Sequence, residues 1–208
     1  RDRWISARTS RQSAAIGCRQ HPPRPRFFGA TANACMRRKS ARPLRVASLA
    51  AHAATRFDTS ATLTDISMLQ SICVNMEHSF LGELEIKLIA PDSTEIILKQ
   101  QPGGSNANFG EPVAKAPTDG NNPDTTAGIC YEYCFTLNPT YGTMVSEVGS
   151  YTYTYTDVTG TLLSDKYLPS GSYQSYQPLS GLLGVPLNGN WTIWVMDNKP
   201  NDNGYICS

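Results

Sequence analysis

Apolar and polar residues alternate along much of the chain after residue 57. The alternation runs through Ile72–Glu77 and again through Leu84–Ala90. A period of two places alternate side chains on opposite faces of an extended strand, so both segments are predicted to be half-buried β-strands. The turn-forming sequence Pro91-Asp92-Ser93 precedes a further extended run, Thr94–Leu98. Residues 83–98 are therefore predicted to form a β-hairpin.

Three later segments are rich in aromatic and β-branched residues, as strands are: Ile129–Phe135, Ser150–Thr156 and Trp191–Met196. Residues 101–128 are dense in Gly, Pro, Asn and Asp, and a loop of that length inside a domain is predicted to be functional or mobile. Helical spacing of apolar residues is missing from the sequence after residue 57. The fold is therefore predicted to be all-β, an antiparallel β-sandwich.

Charge divides the chain into two parts. Residues 1–56 hold twelve Arg and one Lys against one acidic residue, whereas residues 57–208 hold five Lys and sixteen acidic residues. The formal charges of the two parts are +12 and −11, although the whole chain carries +1. A compact domain rarely separates its charges in this way, so we predict a disordered basic arm at 1–56 and a folded domain at 57–208.

The basic arm has three open interpretations. Its positive charge suits a nucleic-acid-binding arm, its Arg- and Ser-rich composition suits a targeting segment, and it also has the character of non-native sequence joined upstream. The acidic folded domain is not expected to bind nucleic acid. No run in the sequence approaches the ~20 apolar residues of a membrane helix, so a membrane span is not expected.

The acidic part contains an even number of cysteines, namely Cys73, Cys130, Cys134 and Cys207. If residues 131–133 are extended, Cys130 and Cys134 lie about 13 Å apart, too far to bond to each other. Each would need a partner on another strand. Two disulfides in a secreted domain and four buried free thiols both remain open.

Two segments resemble the P domain of proprotein convertases. The opening segment Ser71–Gln100 carries the following matching positions: His78, Phe80, Glu83-Leu84, Ile86, Leu88, Pro91-Asp92 and Thr94. The closing segment Asn188–Asp197 resembles the family's Gly-x-Trp-x-apolar-x-apolar-x-Asp, and Asp202–Ile206 follows as in the family. The form is most similar to P-domain-like modules of secreted bacterial surface proteins, including gliding-motility-associated proteins.

The resemblance implies a jelly-roll β-sandwich, galactose-binding-domain-like, without catalytic residues of its own. In convertases this domain follows a subtilisin-type catalytic domain and stabilises it. The sequence departs from the family where Glu83 replaces the usual Asp and Ser93 replaces a turn Gly. It also ends at Ser208, where the family continues into one more strand, so the domain is expected to be truncated there.

Catalytic motifs are absent from the sequence. It has no Gly-x-Ser-x-Gly elbow, no zinc-binding His-Glu-x-x-His and no phosphate-binding Gly loop. His78 is the only histidine after residue 57, and a structural role is expected for it. Tyr151, Tyr153 and Tyr155 share one face of a predicted strand; they would stack on sugars if exposed, but we expect them to pack inward.

One loop near the end of the sequence has the composition of a metal-binding site. Residues 197–204 offer Asp197, Asp202 and three Asn side chains, and Glu83 at the start of another strand would approach the same end of a sandwich. Calcium takes six to eight oxygen ligands of these kinds. Asp197, Asp202 and Glu83 are therefore candidate Ca²⁺ ligands, although the loop lacks EF-hand spacing and its Asp and Asn residues also suit plain turns. The resemblance adds weight, since convertase-like P domains can carry calcium.

These observations favour a non-catalytic accessory or interaction module of a secreted or cell-surface protein. Its expected partners are neighbouring domains of the parent protein, surface ligands or glycans. Two alternatives remain. One is the C-terminal P domain of a subtilisin-like serine endopeptidase, and the other is a carbohydrate-binding module.

Overall fold

The computed structural model of the protein describes residues 60–104, 107–113, 126–199 and 202–207, together with three short strands earlier in the chain. The strands are β1 (Ile5–Ala7), β2 (Ala34–Met36), β3 (Ser48–Leu49), β4 (Leu69–His78), β5 (Leu84–Ile89), β6 (Glu95–Lys99), β7 (Asn108–Phe109), β8 (Tyr131–Phe135), β9 (Tyr141–Thr143), β10 (Thr152–Thr156), β11 (Leu162–Leu168), β12 (Gly171–Gln174), β13 (Trp191–Asp197) and β14 (Gly204–Cys207). Within these ranges, helical structure is limited to the 3-10 helices Ile66–Met68, Leu81–Glu83 and Leu179–Leu182. The all-β prediction is confirmed.

The described strands form two sheets. The larger has the order β10-β11-β7-β4-β8-β12-β9, with β1 and β14 also on β4 and β2 on β14, and the smaller has the order β3-β13-β5-β6. One hydrophobic cluster draws on both, with Val74 and Met76 from the larger sheet and Ile86 and Val195 from the smaller. The sheets therefore face each other as in a β-sandwich, whereas a jelly-roll or galactose-binding-like topology remains a prediction.

Where apolar and polar residues alternate in the sequence, buried and more exposed side chains alternate in the structure. In β5 the burial pattern is strictly buried then half-buried along Leu84–Ile89. The predicted hairpin is also present, because β5 and β6 pair antiparallel with Ile89 opposite Glu95. Its turn places Ser93 at φ 72°, a left-handed conformation that favours glycine, and this is the position where the resembling family usually has Gly.

Two expectations need correction. The sheet is mixed rather than antiparallel, since β12 runs parallel to both β8 and β9, and β11 runs parallel to β7. Residue periodicity reveals which face a side chain occupies but not which strand lies beside it. In addition, the predicted long loop contributes to the core: Ala107 and Phe109 are fully buried, and β7 pairs with the end of β4 at His78.

Two disulfides join the acidic part of the chain. Cys73 bonds to Cys134 across the neighbouring strands β4 and β8, and Cys130 bonds to Cys207 beside β14. The expectation that Cys130 and Cys134 each take a partner on another strand is confirmed. Of the two open interpretations, the structure has two disulfides and not free thiols at these four positions.

Most of residues 1–56 lie outside the described residues, so the prediction of a separate basic arm stays a prediction. The backbone of its three short strands pairs with the two sheets, with β1 on β4, β2 on β14 and β3 on β13. The described part of the chain contains no helix long and apolar enough to cross a membrane.

Candidate metal centre

Two strand pairings gather the predicted metal ligands at one end of the molecule. In the pairing of β13 with β5, Asp197 lies opposite the first residue of β5, which directly follows Glu83. In the pairing of β14 with β4, the first residue of β14 lies opposite His78, so Asp202 arrives beside the end of β4. The register of the two sheets thus brings Glu83 to Asp197 and Asp202, two carboxylates of one loop that lie far from it in sequence.

Backbone hydrogen bonds fix the loop that carries two of these carboxylates. Asn198 donates from its backbone N–H (3.1 Å) and its side-chain Nδ2 (2.9 Å) to the carbonyl oxygen of Glu83. The backbone N–H of Lys199 donates to Asp197 Oδ1 at 3.1 Å. On the far side, the N–H of Ser79 donates to the carbonyl of Asn203. The loop is therefore tied to both sheets.

The carboxylates are buried and incompletely satisfied. Glu83 is 7% exposed and Asp202 is 5% exposed. Glu83 Oε2 and Asp197 Oδ2 are buried oxygens without a hydrogen-bond partner among the described atoms. An unpaired buried carboxylate is costly, because it loses its hydration without compensation. This end of the molecule thus gathers three carboxyl groups, two of which keep a buried oxygen without a hydrogen-bond partner among the described atoms.

Electrostatics at the cluster reflect that burial. Burial first, and then the neighbouring Asp202 and Asp197, raise the pKa of Glu83 to about 8. The pKa of Asp202 is also raised, by burial, against the opposing effects of His78 and the Ser79 hydroxyl. Because burial and the neighbouring carboxylates favour the protonated form of Glu83, a bound cation would favour its ionised form.

His78 lies beneath the cluster, fully buried at the end of β4. Its Nδ1 accepts a hydrogen bond from the backbone N–H of Phe80 at 3.0 Å, so in the neutral ring the proton sits on Nε2. Nε2 lies 3.7 Å from Asp197 Oδ2, too long for a hydrogen bond but close enough for attraction. The ring therefore lies beside Asp197 and holds the chain segment that follows β4, while the expected structural role of His78 stays a prediction.

The arrangement differs from a nucleophile and its base. Ser79 Oγ donates to Asp202 Oδ1 at 3.4 Å rather than to His78. Ser79 and His78 are both fully buried, so a substrate has no route to either in this structure. The Ser-His-Asp chemistry of hydrolases requires a serine hydrogen-bonded to the histidine and accessible to substrate.

The three carboxylates suit a hard cation, although they lie too far apart in this structure to bind one directly together. Carboxylate oxygens from Glu83, Asp197 and Asp202 are ligands that Ca²⁺ accepts, and water commonly completes its shell. Within the described residues, the trio whose ligand atoms all lie within 4.8 Å of one another is Cys73, Glu132 and Cys134 rather than these three. Calcium would therefore draw the three carboxylates inward or bind one of them through water.

The cysteine trio is not a metal site. Its two sulfurs are bonded to each other in the Cys73–Cys134 disulfide, and metals bind the thiolate form of cysteine. Glu132 then remains as a single carboxylate on the surface beside that bond. The candidate centre is accordingly the carboxylate cluster at Glu83, Asp197 and Asp202.

The tyrosine stripe packs inward, as expected. Thr152, Thr154 and Thr156 are exposed, whereas Tyr155 is buried and Tyr153 half-buried. The Tyr153 hydroxyl donates to the carbonyl of Gly110 at 2.6 Å, and that of Tyr155 donates to Pro112 at 2.7 Å. These tyrosines anchor the loop that follows β7 and do not present a platform for a sugar ring.

Sequence reasoning named the three carboxylates but missed the residues that position them. Asn198, which holds Glu83, and Ser79, which holds Asp202, carry no recognisable motif. The register of β4 against β14 would have pointed to Ser79, and this register cannot be read from the sequence. Comparisons of the chain with protein family models, curated proteins and solved structures give no match in any of the three.

Proposed function

We propose that residues 57–208 form a non-catalytic, calcium-binding accessory module of a secreted or cell-surface protein, which stabilises or docks neighbouring domains. The observation that carries this proposal is the convergence of Glu83, Asp197 and Asp202 at one end of the two sheets, with two buried oxygens lacking partners. A divalent cation offsets the repulsion between these carboxylates and satisfies the oxygens.

The disulfides support the secreted setting. Such bonds persist in oxidising compartments and are rare in the cytosol. Both disulfides are placed by strand neighbours, since Cys73 lies opposite Cys134 in the register of β4 and β8 and Cys130 lies next to β8. Closing loops of 61 and 77 residues, they restrict the unfolded chain strongly.

An accessory role is supported by what the polar side chains are used for. The hydroxyl of Ser79, the ring of His78 and the tyrosine hydroxyls of β10 are all engaged in holding loops to the sheets. Engagement of the tyrosines in loop contacts also makes the carbohydrate-binding alternative less suitable for this face.

Calcium binding is tested by thermal unfolding of the full chain with calcium and with chelator. A ligand that binds only the folded state stabilises it by about 2.7 kcal/mol at a hundredfold excess over its dissociation constant. We expect a higher melting temperature with calcium in the wild type and no shift in the Asp197→Asn, Asp202→Asn double variant. Asp92→Asn is the matched control, since Asp92 is an exposed turn carboxylate that accepts from the N–H of Thr94.

Two results would contradict the proposal. One is identical melting temperatures of the wild type with calcium and with chelator. The other is an equal calcium shift in the double variant and in the Asp92→Asn control, which would place any bound calcium elsewhere. Magnesium at the same concentration should give a smaller shift, because it demands tighter octahedral geometry than a flexible cluster supplies.

A further inference from the structure

The outer edge of β10 is an open strand edge. In the described part of the larger sheet, β10 pairs with β11 on one side and with no strand on the other. The outer edge of β6 in the smaller sheet is covered differently, because the backbone N–H groups of Tyr176 and Gln177 donate to the carbonyls of Leu98 and Ile97. An open edge presents unpaired backbone groups to any strand that can match them.

The pairing with β11 determines which residues of β10 face outward. At the two ends of the hairpin, Tyr151 accepts from the N–H of Tyr167 and Asp157 donates to Thr161. In an antiparallel ladder, hydrogen-bonded residues alternate along the strand. The odd-numbered residues of β10 therefore bond to β11, and the N–H and C=O groups of Thr152, Thr154 and Thr156 point to the open edge.

This edge lacks the usual devices that prevent strand addition. Natural edges are blunted by lysine, proline, charged side chains or a bulge. The strand reads Thr-Tyr-Thr-Tyr-Thr over residues 152–156 without a charge or proline. Its register against β11 is continuous from Thr152 opposite Lys166 to Thr156 opposite Leu162, so it has no bulge.

The sequence of β10 is also palindromic, which favours a second copy of the same strand as its partner. Reversed, residues 152–156 read the same, so a two-fold axis at Thr154 sets threonine against threonine and tyrosine against tyrosine. We propose that β10 pairs antiparallel with β10 of a second copy of this chain, with Thr152 of one copy opposite Thr156 of the other. Three hydrogen-bonded pairs then exchange six backbone hydrogen bonds, and threonines meet on the exposed face.

The absence of charge fits self-association in particular. A strand with a net charge opposes its own copy, because like charges directly opposite each other destabilise a strand pair. The uncharged strand 152–156 has no such penalty with a second copy. Five residues bury little area compared with stable dimer interfaces, so the expected dimer is weak and concentration-dependent.

Charge substitutions on the exposed threonines test the register. Thr152→Glu with Thr156→Glu places two pairs of like charges opposite each other in the proposed dimer. Thr152→Glu with Thr156→Lys places opposite charges there with the same number of substitutions and serves as the matched control. Circular dichroism and thermal unfolding establish that each variant is folded.

Sedimentation equilibrium of the full chain over a wide concentration range gives the dissociation constant of each form. We expect the dissociation constants of the wild type and the Glu/Lys variant to agree within about threefold. The dissociation constant of the Glu/Glu variant should be at least about tenfold higher. Mixing Glu/Glu with a Lys/Lys variant at the same positions should restore dimers containing one copy of each. A monomeric wild type at every concentration, or equal dissociation of the Glu/Glu and Glu/Lys variants, would overturn the proposal.

Discussion

The buried carboxylate of Glu83 makes the stability of the calcium-free protein depend on pH. Its ordinary pKa of 4.5 is raised to about 8, by burial first and by Asp202 and Asp197 next. A raised pKa means that the folded protein keeps this proton where the unfolded chain releases it. The contribution to stability is therefore complete below pH 4.5 and is lost as the pH rises through about 8.

Replacing Glu83 with glutamine removes this dependence. Raising a pKa from 4.5 to about 8 corresponds to an unscreened cost of about 5 kcal/mol for the ionised form. Water that reaches this end of the sheets screens the charge, and a realistic cost is about 2 kcal/mol. Without calcium, Glu83→Gln should therefore be more stable than the wild type by about that amount above pH 8 and equal to it below pH 4.5.

Urea unfolding in calcium-free buffers between pH 4 and 9 measures both curves by tryptophan fluorescence. Glu85→Gln is the matched control, because Glu85 lies two residues further along the chain, on β5, and forms an ion pair with Lys87. Adding calcium at pH 7 should reverse the order, since the wild type gains the ligand and the variant loses one donor. Parallel pH profiles of wild type and Glu83→Gln would refute the reasoning.

Four other outcomes are expected. Replacing Cys130 and Cys207 with alanine opens a 77-residue separation and should lower the free energy of unfolding by about 4 kcal/mol in the chain-entropy description, read from the urea midpoint. Ser93→Gly should raise it by up to about 1 kcal/mol, because glycine accepts φ 72° without strain; a lower midpoint would contradict this. Burial lowers the pKa of Lys99 from 10.5 to about 7. The stability that its uncharged form contributes is therefore complete above pH 10.5 and is lost as the pH falls through 7. Between pH 9 and pH 6, the urea midpoint of Lys99→Met should fall less than that of the wild type. Trypsin should cut within residues 1–56 before it cuts the acidic part, because thirteen basic residues lie in that segment and its described structure is three short strands; lasting protection at Arg37 and Arg38, which directly follow β2, would contradict this.

Local strand character was predictable because it rests on a pattern of period two. The segments at β4 and β5 carry that pattern, and β6 follows a turn as a further extended run. The segments at β8, β10 and β13 were predicted from their aromatic and β-branched residues, and each of the six is a strand in the structure. Strand β7 was missed because it is two residues long and lies within a run of Gly, Asn and Pro. Strand β11 was missed because polar residues such as Asp165 and Lys166 break its apolar alternation. Strand β12 was missed because it is four residues long and has a single large apolar residue, Tyr173.

Pairing partners could not be predicted from local pattern. The hairpin of β5 and β6 follows from a turn, but β4 meets β8 and β14 across long separations in sequence. Such contacts depend on the collapse of the whole chain, which a pattern of five residues does not encode. The same limit applies to the candidate site, where composition named Asp197 and Asp202 but only the register explains why they meet Glu83.

Buried polar groups elsewhere in the molecule provide a comparison for the carboxylate cluster. The ammonium group of Lys99 donates to the carbonyls of Leu84, Gln100 and Gly103, and the hydroxyl of Tyr133 both donates to Leu168 and accepts from Gly110. Elsewhere in the described residues, buried oxygens without a hydrogen-bond partner include the neutral amide and hydroxyl oxygens of Gln100, Asn108 and Thr136. The buried carboxylate of Glu77, which lies outside the cluster, accepts from the N–H of Gly128. At the cluster the atoms without partners are carboxylate oxygens and the facing Nε2 of His78, which are much more costly to leave unmatched. What distinguishes this end is the combination of three neighbouring carboxyl groups, two of them with a buried oxygen that lacks a partner, and a bound cation would stabilise that combination.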